Sequence, residues 1–118
     1  MTKMTPVECV QFQLDAYNQR DLEIFLSVFS DTVQSYRLSD MTLLLDGKAA
    51  FGAFYAQNRF VHEGLRAELI ERMVVGNKVI DHEMIHGLGP EPMETAVIFE
   101  VEDGLIEKVF FIPAKSPS

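Results

Sequence analysis

The amino-acid sequence predicts an α+β domain in which three helices pack on one face of a curved, antiparallel or mixed sheet. Helical spacing of apolar residues dominates the first half, and strand-like runs broken by turn residues dominate from Leu65 onward. The last of these runs is apolar on both faces, as expected of a sheet covered on both sides.

The first helix starts at Thr5-Pro6-Val7-Glu8. Thr5 is the N-cap, Pro6 suits the first helical position, and Glu8 closes a capping box. Val7, Val10, Leu14 and Tyr17 then recur at spacings of three and four, one apolar stripe that carries the helix to about Asn18. Asp21 caps a second helix with Leu22, Phe25, Leu26 and Phe29 as its stripe. The short polar link Asn18-Gln19-Arg20 makes the two helices fold back on each other. Short strands are expected over residues 33–38 and 42–45, around Ser39-Asp40. A third helix follows Asp46-Gly47 with Phe51, Phe54 and Tyr55 on its buried face.

Beyond Leu65, Val75-Gly76-Asn77-Lys78 suits a two-residue type II′ hairpin, because Gly at the first central position supplies the positive φ. The resulting register sets Arg72 opposite Asp81, Glu71 opposite His82 and Ile70 opposite Glu83. In the second hairpin, a two-residue turn at Asp103-Gly104 would oppose Glu100 and Glu107, two like charges. A three-residue loop, Glu102-Asp103-Gly104, is therefore preferred; it pairs Val101 with Leu105 and Val97 with Val109. That register gathers Val97, Phe99, Val101, Leu105, Val109 and Phe111 inside. Ile98, Phe110 and Ile112 are left on the outer face, where a homodimer partner is the expected cover.

The 118 residues fit one domain, 1–118, without repeat or linker, and only the first four and last five residues read as loose ends. The single cysteine, Cys9, allows no intrachain disulfide and suits a reducing compartment. It has no adjacent basic residue, which makes it an inert thiol. No leader or membrane-length apolar run is visible, so the expected location is cytoplasmic. A net charge of -8 disfavours nucleic acid and anionic membrane surfaces as partners. Nine Phe and six Met without Trp suit an adaptable core or an apolar pocket for a small-molecule ligand.

Four segments in this order, AYNQRDLEIFLSVFSDTV, DGKAAFGAFYAQNRF, VVGNKVIDHEMIHGL and VIFEVEDGLIEKVFFIP, resemble the SnoaL-like branch of the nuclear transport factor 2 superfamily. The resemblance runs from Pro6 to Pro113. It implies a cone-shaped fold, a bent sheet wrapped against the helices around a pocket, often dimerised through the outer sheet face. Relatives include ketosteroid isomerases, polyketide cyclases, dehydratases, epoxide hydrolases and non-enzymatic binding modules. The isomerases use a tyrosine in the first helix, an aspartate base after the second and a protonated aspartate on a late strand. Alignment on the Asn18–Asp21 turn puts Gln13, then Tyr36 or Arg37, and about Val97 at those positions. Ketosteroid isomerase chemistry is therefore not expected.

The candidate catalytic residues are Arg72, Asp81, Glu83 and His82. An arginine between two carboxylates can keep one ionised while the other takes up a proton, as acid and base chemistry requires. The bland alternative is a cross-strand Arg72–Asp81 salt bridge with Glu83 solvated. Which hairpin face points inward stays open. The isomerase pattern puts Asp81, Glu83 and Ile85 inside, apolarity favours Leu69, Met73, Ile80 and Met84, and a bulge could reverse the parity.

His82 and His86 share a strand face, with Glu71 across from His82. No ligand motif accompanies them, so no metal is expected. Candidate ligand-binding residues are Gln13, Tyr17, Tyr36, Tyr55 and Phe99; helical aromatics are more often core. No phosphate-binding Gly-rich loop or nucleophile elbow is present, and no cofactor is implied. Two functions compete. One is a small-molecule pocket protein that could work as a cofactor-free acid/base enzyme (isomerase, cyclase, dehydratase or hydrolase-like) on a small apolar or cyclic metabolite. The other is a non-catalytic dimeric ligand-binding or interaction module.

Overall fold

A computed structural model describes residues 3–113; of the expected loose ends, residues 1–2 and 114–118 lie outside the described part. Helix α1 spans Pro6–Gln19, and its capping box is formed as the sequence requires. The Glu8 amide donates to Thr5 Oγ1 at 3.2 Å, and the Thr5 amide donates to Glu8 Oε1 at 2.8 Å. Arg20 ends the helix in the left-handed region at φ 54°. Helix α2, Leu22–Leu26, is N-capped by Asp21 but is only five residues long. Ser27 stops it, its amide shared between the carbonyls of Glu23 and Ile24 and its hydroxyl donating to Ile24. Phe29 therefore opens a strand rather than closing the helical stripe.

Strands β1 (Phe29–Arg37) and β2 (Thr42–Asp46), helix α3 (Lys48–Asn58), and strands β3 (Arg66–Val75), β4 (Lys78–His86), β5 (Met93–Glu102) and β6 (Leu105–Pro113) follow. They form one six-stranded sheet in the order β2-β1-β6-β5-β4-β3. All neighbours are antiparallel except β1 and β6, which run parallel, so the sheet is mixed. The helices cover the inner face of this α+β sheet. Phe25 is the centre of their aromatic core, with ring centroids of Phe29 and Tyr55 both 4.9 Å away. Burying such a ring stabilises by about 1.5 to 3 kcal/mol. Asn18 ties α1 to the sheet by mimicking a strand. Its amide donates to the Ala67 carbonyl at 3.0 Å, and its carbonyl accepts the Ala67 amide at 2.7 Å. Among the described residues no helix is long and apolar enough to cross a membrane.

Bulges decide which residues face inward. In β3 the register steps from Leu69↔Glu83 to Glu71↔His82, so Ile70 is extruded and does not oppose Glu83 as expected. Arg72 opposite Asp81 is as the sequence predicts. The bulge lets Leu69 and Arg72 share the inner side with Asp81, Glu83 and Ile85, while Met73 lies outside. The isomerase pattern was right about Asp81, Glu83 and Ile85; the apolarity inference held only at Leu69, since Ile80 and Met84 lie on the outer face with Met73.

The second hairpin departs from expectation. Glu102 pairs with Leu105 around a two-residue Asp103-Gly104 turn, with both central residues at positive φ (52° and 78°), the type I′ geometry. The three-residue loop is not formed. The Glu100–Glu107 clash is avoided instead by a bulge that extrudes Glu107 and brings Lys108 opposite Glu100. Glu107 turns to the hydroxyls of Ser30 and Thr32, 2.9 and 3.2 Å away. Val101 consequently pairs with Ile106 and Val97 with Phe111; Ile106 is buried and Leu105 is exposed, reversing the expected parity at this end. Ile98, Phe110 and Ile112 do lie on the outer face, half-buried by their neighbours.

Candidate functional site

Helices α1 and α3 and the inner face of the sheet line an inner chamber of about 70 Å³. Gln13 and Tyr17 reach it from α1, Phe51 and Tyr55 from α3, Glu83 from β4 and Phe99 from β5. Four expected ligand-binding residues thus converge. The fifth, Tyr36, does not: strand alternation points it outward, where its ring stacks on Phe110 at 5.4 Å and its hydroxyl donates to Gln34. His82 is displaced by the same alternation. Lying between Asp81 and Glu83, it faces outward, across from Glu71 as the register predicts, and its ring pairs with Glu94 at 2.7 Å. His86 pairs with Glu68 on that outer face at 3.0 Å. Among the described residues, no group of three His, Cys, Asp or Glu side chains could hold a metal ion.

The two carboxylates differ in what they can do. Asp81 is fully buried and does not line the chamber; both its oxygens accept from Arg72, at 2.7 and 2.9 Å, in a bidentate clamp. Arg72 donates in addition to Gln11 on α1 at 2.9 Å, which fastens the helix to the hairpin. The expected salt bridge is thus present. Glu83 is only 6% exposed, lines the chamber and has no hydrogen-bond partner among the described residues. Burial pushes its carboxyl up to about 7, the negative charge of Asp81 adds to the rise, and Arg72 offsets part of it. Near neutral pH such a group is available both to give and to take a proton.

The phenols beside it stay neutral. Burial pushes Tyr17 up to about 12, against a lowering by Arg59 and with a further rise from Glu83. Burial likewise raises Tyr55, and Glu83 again adds to it. Neither hydroxyl meets a hydrogen-bond acceptor among the described residues, so both are free to donate into the chamber. Gln13 spends one N–H on the Val10 carbonyl at 3.0 Å. Cys9 takes no part: its buried thiol, raised chiefly by burial, donates to the Gly104 carbonyl at 3.1 Å.

Beside the inner chamber lies a larger outer one of about 380 Å³, bounded by Ser35 and Arg37 on β1, Leu44 and Leu45 on β2 and Phe54 on α3. Arg59, Met93, Thr95 and Phe111 line both chambers, so the two are adjacent. Leu44 reaches this wall because a bulge extrudes it between Leu43↔Tyr36 and Leu45↔Ser35. Sequence reasoning missed this outer chamber. Ser35 carried one signal, a small polar residue at an inward position of a strand; Arg59 sits in the polar stretch Gln57-Asn58-Arg59, which reads as solvated helix end.

Sheet and helices together form an α+β cone fold, with the two chambers on its inner side. A SnoaL-like domain model matches residues 10–109, and the chain belongs to that family. Solved structures share the fold at low identity. A nuclear transport factor 2-like protein of unknown function from Cytophaga hutchinsonii superposes with a TM-score of 0.79 at 13% identity, covering 95% of this chain and 92% of that one. A SnoaL-like protein of unknown function from Burkholderia thailandensis gives 0.78 at 20% identity over 98% and 99% of the two chains. A candidate polyketide cyclase from Sinorhizobium meliloti gives 0.77 at 18% identity over 92% and 100%. No curated protein matches the chain in sequence.

Proposed function

We propose that the protein binds a small, largely apolar molecule and moves a proton on it, using only side chains of this chain. Glu83 acts as base and then acid, and the Tyr17 and Tyr55 phenols donate to an oxygen that gains negative charge. Gln13 and Phe99 shape the chamber around the ligand. The buried Arg72–Asp81 pair is a positioning and tuning element: it holds β4 to β3 and sets the charge that Glu83 feels. Isomerisation, cyclisation and dehydration all need a proton removed at one atom and delivered at another, which suits one carboxyl poised near neutrality. The observation that carries this reading is the Glu83 carboxyl, unpartnered in an apolar chamber and raised to about 7.

A generic probe of a desolvated carboxylate base tests it. In 5-nitrobenzisoxazole, a base takes the ring C–H proton, the N–O bond breaks, and a coloured nitrophenolate forms. The wild-type protein should open the ring faster than buffer does, with a rate that rises with pH to a plateau around a midpoint near 7. Glu83→Gln should abolish the effect. A wild-type rate equal to that of Glu83→Gln would remove the acid/base role.

A dimeric binding module without turnover is the second reading. The stacked Tyr36–Phe110 pair, flanked by Ile98 and Ile112 on a sheet face that no element among the described residues covers, favours it. Its occupant is a second copy of this chain, the two patches meeting about a twofold axis. Probe binding without any ring opening would select this reading.

A further inference from the structure

The two adjoining chambers carry a charge pattern that the rest of the chain does not. The protein has a net charge of -8, yet the acidic and basic side chains lining the two chambers are Arg37, Arg59 and Glu83. Arg37 is matched, donating to both oxygens of Asp40 at 3.1 and 2.9 Å. Arg59 lines both chambers and meets no carboxylate among the described residues; its guanidinium lies over the Phe54 ring, 5.1 Å from the centroid. One N–H of the fork donates to the Tyr17 hydroxyl, and the remaining N–H groups stay available for an oxyanion.

A second, independent observation comes from the facing strand. Ser35 is fully buried on β1 and lines the outer chamber, and its hydroxyl has no hydrogen-bond partner. Native interiors rarely leave a hydroxyl in that state, and a ligand acceptor would relieve it. Thr95, which lines both chambers, makes only long contacts from its hydroxyl, 3.3 and 3.4 Å to the carbonyls of Ile112 and Ala96. Apolar walls of Leu44, Leu45 and Phe54 surround these polar points.

We propose that the ligand is an apolar organic acid. Its carboxylate, or a comparable oxyanion, is held by Arg59 where the chambers meet, and its body fills the outer chamber and presents one acceptor oxygen to Ser35. This deepens the proton-transfer reading and rests on it: with the carboxylate at Arg59 and the body in the outer chamber, only the atoms next to the carboxylate reach the inner chamber, the one that Glu83 lines. It also explains how so acidic a protein would concentrate an anion: the chambers offer one half-buried cation that no carboxylate meets among the described residues.

Matched probes test the proposal by calorimetry on the intact protein. 2-Naphthylacetate and its carboxamide have nearly the same shape and differ in charge. The wild type should bind the acid at least about tenfold more tightly than the amide. Arg59→Met should erase that preference, and Arg59→Lys should keep part of it. Ser35→Ala should weaken 6-methoxy-2-naphthylacetate, which adds an acceptor, and leave the parent acid unaffected. Equal affinity for acid and amide in the wild type would overturn this inference while leaving an apolar proton-transfer pocket intact. Binding of neither probe would overturn both. The wild-type comparison decides the matter even if the Arg59 variants fail to fold.

Discussion

Replacing Glu83 by glutamine should change how stability depends on pH more than it changes stability itself. Raising the carboxyl from its ordinary 4.5 to about 7 corresponds to a penalty of about 3 kcal/mol on its charged form in the folded chain. Between those two values the folded protein holds a proton on Glu83 that the unfolded chain has released. Stability conferred by the protonated carboxyl is therefore full below about 4.5 and lost as pH rises through about 7, where the penalty becomes complete. The amide of the Glu83→Gln variant carries no such charge. Buried and unpaired, that amide costs about 1 to 3 kcal/mol, but the cost is the same at every pH. Urea unfolding of both proteins from acid to mildly alkaline pH should show the difference moving in favour of Glu83→Gln by about 3 kcal/mol, with most of the change between 4.5 and 7. Parallel curves across that window would refute the claim that the chamber desolvates this carboxyl.

Asp81→Asn breaks a buried bidentate pair and leaves Arg72 unmatched, so urea denaturation should show a loss of about 3 kcal/mol or more. The Glu83 titration, followed by carbon-13 NMR of its carboxyl, should move below about 7, because a raising charge is lost while Arg72 still lowers it. Gly87→Ala should cost at least about 2 kcal/mol in thermal unfolding: φ is 92°, and a Cβ there would lie 2.3 Å from the Gly64 carbonyl, a clash with backbone that cannot rotate away. Phe110→Glu should turn the proposed homodimer into a monomer by light scattering at micromolar concentration; a wild-type monomer under the same conditions would defeat the dimer.

Local chemistry was legible in the sequence where one short segment carries the whole instruction. Thr5-Pro6-Val7-Glu8 caps α1, Asp21 caps α2, and Gly76-Asn77 turns β3 into β4 with Arg72 facing Asp81. The bulges were not legible, because nothing local says which residue will be extruded from a paired strand. The like-charge argument against opposing Glu100 and Glu107 was sound, but the chain satisfies it by expelling Glu107 rather than by lengthening the turn. Partners supplied from β1, Ser30 and Thr32, make that solution available, and they are distant in sequence. Parity decided the site in the same way. Glu83 faces the chamber, while His82 beside it and Tyr36 on β1 face outward.

The parallel pairing of β1 with β6 also bears on how the chain is made. Ser35 finds its partner Val109 only after every other strand has been synthesised. The β3–β4–β5 meander has been complete for some time by then. At about 5 to 20 residues per second, translation leaves the β5 edge unpaired for on the order of a second and the β1 edge, made much earlier, for about 4 to 15 seconds. Such edges are where a nascent chain meets its neighbours on a polysome, so folding yield in the cell should respond to how fast the β6 codons are read.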